Sequence, residues 1–203
     1  MSDLWPAPPG PTAPPPGVRP SARDRLLDTA RTLFYQRGVS NVGIDEIIAV
    51  SGVAKATLYK HFSSKDALIL EYMRQGDARW TTWLRERVEA LSPAPETRLL
   101  AVFEALHEWF SLPHFRGCLL SNVVAALPEP HPARSLLADH KARVRAYLAE
   151  LAVLAEAQQP ETLADQVQML LEGATAAARL EQRPAAAGRA RAYLAAVLDH
   201  QQH

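Results

Sequence analysis

IDEIIAVSGVAKATLYKHFSSKD, residues 44–66, holds two short apolar-periodic runs divided by Ser51-Gly52-Val53. The first run, Ile44 to Val50, spaces Ile44, Ile47 and Ile48 as a helix would. Asp45 and Glu46 fall in its opening turn, where a helix N-terminus favours negative charge. The second, Ala54 to Phe62, sets Leu58 and Phe62 four apart, so both lie on one face and can plug a small core. Gly52 stands where the chain must reverse, a place suited to a residue that tolerates the left-handed conformation. Two helices joined by a tight Gly-containing turn read as a helix-turn-helix, whose second helix can enter a DNA major groove.

With Leu58 and Phe62 turned inward, the second helix presents Lys55, Thr57, Tyr59, Lys60 and His61. Lysine neutralises phosphates, threonine can reach a base edge or a thymine methyl, and tyrosine and histidine can bond phosphate oxygens. No acidic residue interrupts Gly52 to Lys65. A plain αα-hairpin would carry the same inward pair, so spacing and charge alone leave DNA binding and simple packing both open.

The run Val53-Ala54-Lys55-Ala56-Thr57-Leu58-Tyr59-Lys60-His61-Phe62, followed by Ser63-Ser64-Lys65-Asp66-Ala67-Leu68, resembles the DNA-binding signature of the TetR family of transcriptional regulators. The likeness extends back to Arg23 and covers about a quarter of the chain. It implies that Gly43, Lys55, Ala56, Thr57, Tyr59, Lys60, His61 and Lys65 form the DNA-facing set. It also implies an all-α fold: an N-terminal helix-turn-helix domain followed by a helical ligand-binding and dimerisation domain. Two positions depart from the family pattern. Gly43 stands where a capping, phosphate-binding threonine is frequent, and Ala54 replaces a frequent capping serine. Losing a cap hydroxyl costs about 1 kcal/mol, and less where glycine replaces it.

Composition agrees with that class. Alanine and leucine dominate the 203 residues and 48% are hydrophobic, which favours a helical protein with a sizeable core. Net charge is zero, but Met1 to Lys65 carries eight Lys/Arg against five Asp/Glu, hence +3, leaving −3 for the remainder. A single cysteine, Cys118, excludes an intrachain disulfide framework and a Cys-based zinc site. It suits a reducing compartment. Without an apolar run of about 18 residues or a signal-like N-terminus, the expectation is a soluble cytoplasmic protein with no membrane partner.

Residues 1–20 are proline-rich and read as a disordered arm, with Arg19 near enough to Arg23 and Arg25 to reach phosphates. The DNA-binding domain is expected over 21–67 and the ligand-binding and dimerisation domain over 68–203. Ser21 and Asp24 form a capping-box pattern at the first helix, which ends at Gly38. A single helix is expected from Lys65 to about Leu91, capped by Ser63, with Gly76 as its weak point. Further helices follow over 96–111, 117–127, 133–158, 162–180 and 185–200, with proline-containing breaks between several of them.

The last two helices are rich in Ala and Gly, which allow close approach. Two from each of two chains could make an intermolecular four-helix bundle, although intrachain packing gives the same pattern. The resemblance implies that this pair forms a homodimer interface, and a two-fold dimer would read a palindromic double-stranded operator. Between the head and this pair lies an aromatic-rich middle that includes Trp109. The candidate small-molecule site comprises Trp80, Trp83, Phe103, His107, Phe110, Phe115, Cys118, Asn122, Glu172 and Thr175. An apolar cavity with a few polar groups would take an apolar or aromatic effector. Core packing is the competing reading of each of these residues.

Gly117-Cys118-Leu119-Leu120-Ser121-Asn122 resembles a Gly-Cys-Leu-x-x-Asn segment of one TetR subgroup. Cys118 near a helix start, with His114 and Arg116 close by, offers an alternative function as a redox or electrophile sensor. Glu104-x-x-His107 is half of a di-metal carboxylate pattern and has no second half, so no metal or cofactor is expected. His200 and His203 fall in a polar tail. No phosphate loop, nucleophile elbow or catalytic triad is present, which points away from an enzyme. The function expected is a transcriptional repressor that binds its operator as a homodimer and is released by a small molecule.

Overall fold

The computed structural model describes residues 20–201. The expected arm, apart from Pro20, lies outside the described residues, as do His203 and the side chain of His200. The described chain is all-α: α1 Ala22–Arg37, α2 Ile44–Ser51, α3 Lys55–His61, α4 Lys65–Leu91, α5 Arg98–Phe110, α6 Leu119–Ala125, α7 Ala133–Leu154, α8 Pro160–Glu181 and α9 Ala185–Gln201, with single 3₁₀ turns at Val39–Asn41 and Pro95–Thr97.

Two compact units emerge. One comprises the chain up to Arg79 together with Leu119–Leu137, the other Trp80–Cys118 together with the chain from Ala138 onward. The expected domain boundary at 67/68 falls inside α4 and inside the first unit, and α6 groups with the N-terminal helices. A hydrogen bond explains part of that grouping: the Ser40 hydroxyl donates to the Ala126 carbonyl at 2.8 Å, just past the end of α6.

In the first unit, both halves of the capping box form at α1, with Ser21 Oγ accepting from the Asp24 N–H and Asp24 answering the Ser21 N–H. α1 packs on α2 and α3 through Leu26, Leu27, Ala30 and Phe34. Ile47, Leu58 and Phe62 close this small core from the motif side. The Gly52 turn adopts φ 64°, the left-handed region in which a side chain would be strained. Arg23 ties three elements together. Its guanidinium lies 5.5 Å from the Phe62 ring centroid and donates to Glu71 of α4 at 2.7 Å.

α4 runs unbroken through Gly76 for 27 residues, about 40 Å at 1.5 Å per residue. Its capping differs from expectation. Ser64, not Ser63, accepts from the Ala67 N–H at 3.1 Å. The helix begins at Lys65, so Ser64 has the residue-to-N3 spacing that a cap requires. In the second unit, α5 packs against α8 and α9, and α8 against α9. Phe103, Leu106, Leu148, Leu163, Val167, Ala187 and Leu194 are among its buried residues. α7 stops at Leu154, short of the expected Gln158. Glu156 takes a positive φ there, and Pro160 starts α8 at a position where its missing N–H costs nothing.

Candidate DNA interface and effector site

α3 has seven residues and holds its place through one anchor, the fully buried Leu58, with Phe62 just beyond. The rest of the helix is displayed. Lys55, Ala56, Tyr59, Lys60 and His61 are exposed and Thr57 is half-buried. Gly43 is the exposed N-cap of α2, and Lys65 lies half-buried in the first turn of α4. Neither Gly43 nor Ala54 supplies a side-chain cap. A Cβ at Gly43 would meet nothing within 4 Å, so a larger residue has room. Two carboxylates reach into this basic surface. Asp45 accepts from Lys55 Nζ at 3.1 Å, which raises the Lys55 pKa above its ordinary value, and Glu46 pairs with Arg37.

In the second unit the aromatic side chains converge. Trp80 meets Trp109 edge-on at 5.8 Å between centroids and His140 at 5.3 Å. Trp109 also meets Trp83 at 6.3 Å, Phe110 at 5.7 Å and Phe115 at 5.0 Å. Of the sequence candidates, Trp80, Trp83, Phe103 and Phe110 are buried in this unit's core and Phe115 packs against it half-buried. Cys118 is half-buried.

The other candidates fall elsewhere. His107 is exposed, because Phe103, Leu106 and Phe110 occupy the buried stripe of α5. Glu172 is exposed and paired with Lys141 at 2.8 Å. Asn122, half-buried on α6, belongs to the first unit. Thr175 is buried, but its hydroxyl is spent on the Leu171 carbonyl one turn back at 2.8 Å. Glu104, the other half of the Glu-x-x-His pattern, accepts from Arg191 of α9 at 2.9 Å and so works as an interhelical tie.

Trp109 and His140 were absent from the candidate set. His140 sits within the charged run Asp139 to Arg145, which reads as a solvent face. Its spacing to Val144, Tyr147 and Leu148, all buried, was the signal for an inward position.

The α8–α9 pair presents a different surface. Met169, Gly173, Ala176 and Leu180 follow one face of α8 and are all exposed, Leu180 at 85%. Ala192, Tyr193 and Ala196 are exposed on α9.

Residues 26–72 match the family model of bacterial regulatory proteins, tetR family, and residues 95–194 match the tetracyclin repressor-like C-terminal domain. The structure is similar to that of SCO4454, a TetR-family transcriptional regulator from Streptomyces coelicolor. The two share 34% identity, with a TM-score of 0.78, over 90% of this chain and 96% of that one. The chain belongs to the tetR family. It is a DNA-binding transcriptional regulator of the helix-turn-helix type. A second TetR-type structure, sav143 from Streptomyces avermitilis, shares 30% identity at a TM-score of 0.74 over 90% of this chain and 99% of that one. The HTH-type transcriptional regulator YjdC of Escherichia coli (strain K12) is 24% identical over 152 residues, 74% of this chain and 80% of YjdC. Neither these likenesses nor the half-buried position of Cys118 supports the thiol-sensor alternative. Among the described residues, no helix is long and apolar enough to cross a membrane.

Proposed function

We propose that this regulator is a cytoplasmic repressor that binds a palindromic operator as a homodimer and leaves it when a small apolar or aromatic effector enters the second unit. The observation that carries the reading is α3. A seven-residue helix with one buried anchor and an otherwise exposed, largely cationic surface has little packing role and the right chemistry for phosphates and base edges. Lys55, Ala56, Thr57, Tyr59, Lys60 and His61 are its reading set, with Gly43 and Lys65 at the backbone on either side.

Dimerisation supports the reading on physical grounds. One short helix reads few bases, and two related by a two-fold axis double both contacts and specificity. The exposed Met169, Leu180 and Tyr193, set among glycine and alanine, give α8 and α9 an apolar face that a second copy would cover. The buried ring cluster supplies the apolar walls of an effector site. The Gly117–Asn122 segment supports membership of the Gly-Cys-Leu-x-x-Asn subgroup on sequence alone. By linkage, an effector that weakens operator binding is weakened by the operator to the same degree.

The test is a binding titration of the purified protein against DNA flanking its own gene, repeated across salt concentrations. Saturable binding of two chains per site, with affinity falling steeply as salt rises, is the expected result. Absent or salt-indifferent binding overturns the proposal, and increased transcription from the bound promoter overturns the repressor half of it.

A further inference from the structure

We propose that the ring cluster of the second unit takes a flat, neutral aromatic molecule carrying a carbonyl-type oxygen, which accepts hydrogen bonds from the indole N–H groups of Trp80 and Trp109. The inference rests on the effector reading above and gives the ligand its chemistry.

Trp80 is 9% exposed and Trp109 4%, and the Nε1 atom of neither finds an acceptor among the described residues. Buried indole N–H groups ordinarily have a partner, because a donor taken out of water without one loses a hydrogen bond outright. Here two such donors belong to rings only 5.8 Å apart. A single stranded donor is a local defect of packing. Two in adjoining rings describe a place prepared for an acceptor.

The donor chemistry narrows the class. Indole N–H donates and never accepts, so the partner must bring lone pairs. A cation without an acceptor atom would leave both donors unmet, even though a group of aromatic faces is the usual setting for one. Charge narrows it further. The cluster is buried, with Trp109 4% exposed, and a carboxylate taken out of water there costs more than a neutral oxygen. The class so favoured is a neutral carbonyl. The Phe115 ring, edge-on to Trp109, and the His140 ring, edge-on to Trp80, complete the aromatic surroundings of the two indoles. The Tyr147 hydroxyl also lacks a partner, but it lies two turns along α7 under the Arg85 guanidinium and is left out.

The test uses the 203-residue protein labelled with ¹⁵N-tryptophan and titrated with 1-indanone and, separately, indane, two molecules of nearly equal shape. The chain has four tryptophans, and W80F and W109F each remove one indole resonance and so assign it. The expected result is that the Trp80 and Trp109 N–H resonances move downfield with the ketone and not with the hydrocarbon. The ketone should bind about tenfold more tightly, and either variant should abolish that preference. Equal affinity, no binding at millimolar probe, or N–H protons that stay shielded and unmoved because they point at a neighbouring ring face would each overturn the proposal.

The same samples are then titrated with promoter DNA. Ketone engaged by both indoles without loss of DNA binding sinks the effector reading and leaves the acceptor site standing. DNA release by both probes alike keeps the effector reading and removes the acceptor site.

Discussion

The head and the body of this regulator handle polar chemistry in opposite ways. On α3 the functional groups stand in water, their charges solvated and their donors free to exchange partners, while a single buried leucine holds the helix. In the ring cluster two indole N–H groups are withdrawn from water and have no acceptor among the described residues. The first arrangement costs little in the free protein and gains its affinity from counterion release on meeting a polyanion. The second holds destabilising, unsatisfied donors that only a bound acceptor relieves. A regulator needs both: a surface that can let go of DNA, and an interior whose energy changes when a ligand arrives.

The strongest way to break that contrast is to remove the anchor. Leu58→Ala takes away the one fully buried side chain of α3, at a cost of about 2–5 kcal/mol for a large-to-small change in a packed core. The expected outcome is loss of DNA binding and a lower melting temperature, with the proposed dimer intact by sedimentation. Loss of the dimer in this variant would show that head and body do not separate their tasks.

Lys60→Ala leaves the anchor and removes one exposed charge. DNA affinity should fall about tenfold at low salt, equally for all sequences, and the salt dependence should become shallower by about one unit per protomer. A change in sequence preference instead would move Lys60 from phosphate to base edge. A smaller effect is expected from Ser21→Ala, which removes the side-chain half of the α1 capping box and leaves the Ser21 N–H bonded to Asp24. The cost is about 1 kcal/mol, read by denaturant titration, with operator affinity following only through stability.

The two regions also differed in how much of them the sequence revealed. The head was legible almost residue by residue. Its determinants lie within some forty positions, so periodicity, the Ser21–Asp24 box and Gly52 each announced a local structure. The misplaced cap, Ser63 for Ser64, was an error of one residue at a helix boundary. The ring cluster joins residues 80, 83, 109, 115 and 140, contributed by α4, α5, the loop after it, and α7. No local pattern links them. Composition placed aromatics in the middle of the chain but could not say that His107 is exposed while His140, amid charged neighbours, meets Trp80 edge-on. The ion pair of Glu172 was hidden for the same reason: its partner, Lys141, lies thirty-one positions away.

The subtlest expected effect bears on the head alone. Asp45 stands in the first turn of α2 and holds Lys55 Nζ at 3.1 Å, with both side chains largely exposed. In free protein such a pair is worth little, since each charge is already well solvated. Beside DNA its meaning changes. If Lys55 meets phosphate as proposed, the carboxylate neutralises it and adds its own repulsion, so the pair must open or be tolerated whenever the operator is bound. Asp45→Asn keeps a polar side chain at the helix start while releasing Lys55. Operator affinity should rise about threefold at low salt and converge on that of the unaltered protein as salt shortens the Debye length to a few ångströms. Helix stability should fall slightly, because a negative charge near the α2 N-terminus is lost. Affinity and stability would thus move in opposite directions. That combination separates an electrostatic brake on DNA binding from a fold-supporting ion pair, for which both would fall together.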